Sequence, residues 1–236
     1  MHRQKNFKLV VFAGAFLSMN AGYINAIALL SMFHLAVSHV SGTVTRIGMA
    51  VLPWNENHFF EGLGLLVCFF LGAMISGLVI GHHQFKLGRR YGVVLMIQSL
   101  LLGVATYSLN HQLIQAVYLT SMACGLQNAM ATSYSGAVIR STHMTGVVTD
   151  LGLLIGHWLR DRKMEQWKLV LLGFLLLGFI TGSFLGDACF HLMQNDALWL
   201  SSITSGIIGL IYFLYRQRNR IRRFLGLPEL LDSTKE

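Results

Sequence analysis

Long apolar blocks alternate with short polar stretches along this chain, and within the blocks polarity does not switch from one residue to the next. Six blocks are long enough to cross a bilayer as helices, which takes about 20 apolar residues. They are 9–30, 60–81, 92–109, 113–134, 169–191 and 197–215. Backbone groups in lipid must be satisfied within the segment, so each block is expected as a helix. Two shorter apolar stretches, 43–53 and 147–157, follow the first and fourth blocks. They are too short to span. Each is expected as a half-helix that enters the membrane, with Trp54 or Trp158 at the interface, the alternatives being an interfacial segment or part of a spanning helix.

The polar residues ahead of these short stretches occur twice. Ser38-His39-Val40-Ser41-Gly42-Thr43-Val44-Thr45-Arg46-Ile47-Gly48 is matched by Thr142-His143-Met144-Thr145-Gly146-Val147-Val148-Thr149-Asp150-Leu151-Gly152. One offset, 104, relates His39 to His143, Gly42 to Gly146 and Trp54 to Trp158. The first and fourth blocks match at an offset of 103, which pairs Asn25 with Asn128 and Gly22 with Gly125. The second and fifth blocks share a small-residue stripe, with Ala73, Gly77 and Gly81 answering Gly178, Gly182 and Gly186. Such stripes let membrane helices approach closely. The expected fold is therefore all-α, with six transmembrane helices in two three-helix repeats, 1–110 and 111–223, and a cytoplasmic tail, 224–236. An odd number of helices per repeat turns the second repeat upside down in the bilayer, as in many secondary transporters.

Composition and charge support a membrane protein. Of the 236 residues, 54% are hydrophobic and only 12% charged, against about 25% charged in soluble domains. The net charge of +8 does not read as a nucleic-acid surface, because the basic residues sit in short runs between apolar blocks. Those runs precede the first block, separate the second from the third and the fourth from the fifth, and follow the sixth. With both termini cytoplasmic they fall on one side, and only Arg46 is left on the other. That is the positive-inside pattern of a bacterial cytoplasmic (inner) membrane protein. Lys and Arg before the first block mimic a signal peptide, but the block's residues recur mid-chain, so that reading is rejected. Cys68, Cys124 and Cys189 lie within apolar blocks and read as small core residues, not as a disulfide or metal framework.

The repeated polar segments carry the candidate chemistry. A helix N-terminus offers free N–H groups and partial positive charge. Ser41-Gly42-Thr43 and Thr145-Gly146 would stand at two such termini, with Ser41 or Thr145 as cap and the glycines admitting a ligand. Asn20, Asn25, Gln127 and Asn128 would line the same substrate site from the first and fourth helices; the alternative for them is interhelical hydrogen bonding. Arg46 and Asp150 hold equivalent positions and are candidates for an ion pair or gate, or else each sits at its own interface. His39 and His143 are candidate proton relays, or packed and hydrogen-bonded.

Ala21-Gly22 with Asn25-Ala26, the Ser38–Gly42 run with Arg46-Ile47-Gly48, Gly125-Leu126-Gln127-Asn128-Ala129, and Met144-Thr145-Gly146 with Thr149-Asp150-Leu151 together resemble the YoaK-like family of bacterial multi-pass membrane proteins. That family has no known function. Its pattern places an Asp where this chain has Asn25 and an Asn where this chain has Thr43. The resemblance therefore implies that an acidic proton or cation site carried by that Asp is absent or altered here.

Function expectations follow from the inverted repeat and the polar centre. The first is a secondary transporter or permease for a small polar or anionic solute, bound at the repeat interface near the bilayer midplane. The alternative is a non-transporting scaffold or partner subunit whose polar centre only packs helices. An enzyme is not expected, since neither GxSxG nor HExxH occurs and no acidic pair faces across helices. The chain has no nucleotide-binding motif, so an ion gradient would drive transport. No cofactor or metal is expected. The partners are the lipid bilayer and the solute, with a homo-oligomer left open and nucleic acid excluded.

Overall fold

The computed structural model describes residues 2–52, 55–81, 90–135, 140–162 and 165–224. All regular structure among them is helical: α1 (His2–Leu30), α2 (Val40–Met49), α3 (Glu56–Ile80), α4 (Arg90–Asn110), α5 (Gln115–Ser135), α6 (Met144–Asp161), α7 (Gln166–Met193) and α8 (Leu198–Phe224), with a 3-10 turn, Gln194–Ala197, between the last two. The six long helices coincide with the six apolar blocks. The short helices α2 and α6 overlay the two stretches expected as half-helices. Trp54, His82, His83, Lys86, Arg89, Lys163 and the tail from residue 225 lie outside the described residues.

Local chemistry sets several ends. Asn55 starts α3 by accepting a hydrogen bond from the His58 N–H through its side chain (3.2 Å). Gly81 stops it with φ at 69°, a left-handed conformation that a side chain would strain. Gln194, at φ 51°, separates α7 from α8.

Four stretches have the length and hydropathy to cross a membrane: Val10–Leu30, Glu56–Ile80, Arg90–Asn110 and Gln166–Gln217. The last, of 52 residues, contains both α7 and α8. At 21 residues, α5 is about 31 Å long, enough to span. Gln115, Thr120, Ser121, Gln127, Asn128 and Thr132 keep it less apolar. Phe70, Leu78 and Phe184 point outward and are exposed, a surface suited to lipid and not to water.

The halves interleave. Helix α1 packs against α7, α3 against α5, and α4 against α8. The register of the contacts fixes directions. Gly178, Gly182 and Gly186 meet Ala15, Met19 and Tyr23 in turn, so α1 and α7 run parallel. Gly64 and Gly72 meet Tyr118 and Met122, so α3 and α5 also run parallel. Gly92 meets Gly209 while Gly103 meets Trp199, so α4 and α8 are antiparallel.

One end of the bundle gathers the C-terminal parts of α1 and α4 with the N-terminal parts of α5 and α8. Ile24, Ile27, Leu109, Ala116, Val117 and Leu198 line one small, mostly apolar cavity there. The chain's first and last helices therefore begin and end at the opposite end.

The glycine stripe needs one correction. Gly178, Gly182 and Gly186 pack as expected, but Gly77 faces open space. Its expected role belongs to Gly72, whose missing side chain lets α3 lie against the Met122 carbonyl of α5.

Candidate functional site

Each short helix is preceded by a loop that folds back into the bundle. In the first, the Asn25 Oδ1 of α1 accepts from the Ser38 N–H (3.3 Å) and the Ser38 Oγ (2.9 Å). In the second, the Asn128 Oδ1 of α5 accepts from the Thr142 N–H (3.3 Å). A second pair of ties crosses over. Ser121 on α5 donates to the Val37 carbonyl (3.0 Å), with the Leu65 carbonyl also at 3.0 Å. Ser18 on α1 lies 3.3 Å from the Ser141 carbonyl and donates to the Leu175 carbonyl (2.8 Å). Both loops are thus held between α1 and α5. The ties sit about 10 Å apart along each helix at 1.5 Å per residue, so the two elbows approach each other from opposite ends.

Between the elbows lies a chain of uncharged side chains. Gln127 Oε1 accepts from Asn20 Nδ2 (2.8 Å) and from Gln98 Nε2 (2.7 Å). Its Nε2 donates to the Leu17 carbonyl (2.8 Å) and to Ser141 Oγ (3.3 Å). Ser201 Oγ donates to Asn20 Oδ1 (2.6 Å). All five side chains are buried. They come from α1, α4, α5, α8 and the second elbow, so Gln127 bonds across both halves of the chain. Gln98 and Ser201 are absent from the sequence-derived site. They lie in the third and sixth blocks, whose repeat match is weak, although the offset of 103 relates Gln98 to Ser201; the other available signal was their depth within apolar blocks.

The remaining candidates are placed differently. Ser41 and Thr145 are not caps. Helices α2 and α6 start two residues earlier than those caps would set, with His39 and His143 in the cap position and no side-chain cap bond. Ser41 and Thr145 are exposed within the first turns, where their carbonyls accept from Thr45 Oγ1 (3.0 Å) and Thr149 Oγ1 (2.9 Å). Thr43 is buried and bonds back to the His39 carbonyl (3.2 Å). Around Gly42 there is open space, whereas the His143 ring lies over Gly146. His39 stacks on Phe179 of α7, with ring centres 6.4 Å apart.

Arg46 and Asp150 do not form an ion pair with each other. Arg46 pairs with Glu61 at 3.5 Å, because α2 packs on the start of α3. Asp150 is exposed on α6, which packs on α7. Among the described residues, no group of three or more His, Cys, Asp or Glu side chains could hold a metal ion.

Asn25 and Asn128 do the same job in the two halves. Asn25→Ala and Asn128→Ala are each expected to free one elbow, at about 1 kcal/mol per hydrogen bond lost. Limited proteolysis should then open cleavage sites near residues 31–39 in the first variant and 140–143 in the second. Protection equal to that of the parent protein in both would show that the asparagines do not hold the elbows.

The helices, their outward apolar faces and the buried polar centre define a polytopic helical membrane protein. Residues 13–211 match the family model described as protein of unknown function DUF1275, and the chain belongs to that family. It is similar to the UPF0700 transmembrane protein YoaK of Bacillus subtilis, with 26% identity over 140 residues, 57% of this chain and 62% of that protein. It is also similar to the UPF0700 transmembrane protein RA0705 of Rhizobium meliloti, with 26% identity over 204 residues, 86% of each. The match thus spans less than two thirds of the length of the first relative and most of the second. No solved structure matches the chain at comparable significance.

Proposed function

We propose that this chain is a secondary transporter or permease for a small polar or anionic solute, built from two inverted three-helix repeats in the bacterial cytoplasmic membrane, with both termini cytoplasmic. The observation that carries the reading is the pair of elbows tied between α1 and α5 by residues at matching offsets: Ser18 with Ser121, and Asn25 with Asn128. Irregular backbone at membrane depth is tolerated where it is buried or lines a cavity, and transporters place their sites at such breaks.

Supporting the inversion, glycine contacts repeat under exchange of halves. Gly22 meets Phe179 as Gly125 meets Phe69, and Gly182 meets Met19 as Gly72 meets Met122. Supporting the orientation, Arg160, Arg162 and Arg216 fall toward the end of the bundle where α1 begins and α8 ends, as positive-inside bias requires. The anionic option rests on the first turns of α2 and α6, which lack side-chain caps and offer N–H groups. Lipid is the one fixed partner of this proposal, and it includes no catalytic step, cofactor or nucleic acid.

Two measurements test it. In a background without Cys68, Cys124 and Cys189, a membrane-impermeant maleimide applied to intact cells should label Gln112→Cys, and should label Arg162→Cys only after permeabilisation. The reverse pattern would invert the orientation. Purified protein should also gain apparent stability with at least one of acetate, chloride, glycine or glycerol, because a ligand that binds the folded form raises its melting temperature. No stabilisation by any of them, together with no uptake into proteoliposomes, would leave a scaffold as the reading.

A further inference from the structure

The buried polar groups fall into two sets. The first is repeated: Ser18 with Ser121 and Asn25 with Asn128, all bonded to loop or helix backbone. The second is repeated only in part: an offset of 103 relates Gln98 to Ser201, but Asn20 and Gln127 have no polar counterpart. The same offset, which relates α1 to α5, places Ala123 opposite Asn20 and Ile24 opposite Gln127. On that unpolar side, Ile24 and Ala123 are simply buried core. The repeated set ties both elbows and Gln127 adds a bond to Ser141 of the second, whereas Asn20 and Gln98 bond to neither elbow, so that end of the amide chain is left for another role.

That chain also ends unsatisfied. Gln98 Oε1 is fully buried and has no hydrogen-bond partner, whereas buried polar atoms are nearly always paired. An amide oxygen accepts up to two hydrogen bonds, and Asn20 Oδ1 and Ser201 Oγ beside it in the chain keep acceptor capacity as well. No Asp, Glu, Lys, Arg or His is among the buried polar side chains of the described residues, which are all Ser, Thr, Asn or Gln. A desolvated ion needs a counter-charge or a full shell of dipoles; a neutral donor needs only an acceptor.

We infer that the central cluster takes an uncharged hydrogen-bonding solute, of the amide, urea or polyol class, whose N–H or O–H donates to Gln98 Oε1. This rests on the transport reading above and narrows its solute from polar or anionic to neutral. The cluster is closed in this conformation, so the solute reaches it when one elbow withdraws, as alternating access requires.

The test uses the full chain in liposomes, with stopped-flow light scattering under gradients of acetamide, urea and glycerol, and of potassium chloride and potassium acetate with valinomycin. At least one neutral probe is expected to cross faster than in empty liposomes. Gln98→Leu is expected to cut that excess about tenfold, as loss of one hydrogen bond to the solute does. Its elution profile and melting curve should match the parent's; if they do not, Ser201→Ala takes its place in the same assay. Neutral flux that neither variant lowers would overturn the inference. Faster chloride or acetate with neutral probes at the empty-liposome rate would overturn it while leaving the transport reading standing. All probes at the empty-liposome rate would overturn both.

Discussion

Gly182→Leu is expected to prevent recovery of folded protein, whereas Gly77→Leu is expected to leave recovery unchanged. A side chain at Gly182 runs into the Met19 carbonyl of α1, and that obstacle is backbone, which cannot rotate aside. Helix association in lipid has no hydrophobic drive and depends on close contact. The same helix pair also meets at Gly22, Gly178 and Gly186, so prying it apart loosens the whole α1–α7 seam. Overpacking costs about 1–3 kcal/mol at sites that can adjust, and this one has little room to do so. Gly72→Leu should match the loss, because its side chain meets the Met122 carbonyl. Gly77 faces nothing within 4 Å. The check is the monodisperse peak of detergent-solubilised protein on size exclusion. Equal loss in Gly77→Leu and Gly182→Leu would mean that α3 is packed by the stripe read from the sequence and not at Gly72.

Gln127→Leu is expected to lower the melting temperature by about 5–15 °C, while Gln98→Leu leaves it near the parent value. Leucine fills a similar volume but removes four contacts at once, those to Asn20, Gln98, Ser141 and the Leu17 carbonyl. Interhelical hydrogen bonds in membranes average about 0.6 kcal/mol. The larger effect is that Asn20 and Gln98 keep buried N–H groups without their acceptor, at about 1–3 kcal/mol for each unsatisfied group. The two stranded groups together cost about 2–6 kcal/mol, and at about 2–4 °C per kcal/mol for a chain of this size a drop of about 5–15 °C falls inside that range. Gln98→Leu removes a donor along with the oxygen that has no partner, and Gln127 Oε1 still accepts from Asn20. Differential scanning fluorimetry in detergent distinguishes the two. Equal melting temperatures for Gln127→Leu and the parent would show that the centre carries no structural weight.

The repeat offsets near 103 and 104 were legible because they rest on Asn, Ser, Gly and Trp, types that do not match by chance among leucines and valines. They led to both elbows and to Asn25 and Asn128, the asparagines that bond to the loop backbone. The offset of the glycine stripe was not legible. Several small residues in α3 lie near one another, and helical spacing alone does not say which face meets a neighbour. Ala73, Gly77 and Gly81 fit the spacing as well as Gly72 does, but among these glycines it is Gly72 that meets the opposing backbone. Arg46 and Asp150 show the same gap. Equivalent positions in two repeats suggested a pair, and Glu61, which packing brings beside Arg46, had no sequence feature to announce it.

By itself, the sequence determined that the chain is helical and belongs in a membrane, and where its polar elbows fall, because those properties follow from local composition, breaker residues and the requirement that backbone in lipid bond to itself. The tertiary structure decided that α1 pairs with α7 and α3 with α5, and that Gln98 and Ser201 join Asn20 and Gln127 in one buried cluster. Such contacts join residues distant along the chain through the shapes of helix faces, and no single helix's pattern records which other face it will meet.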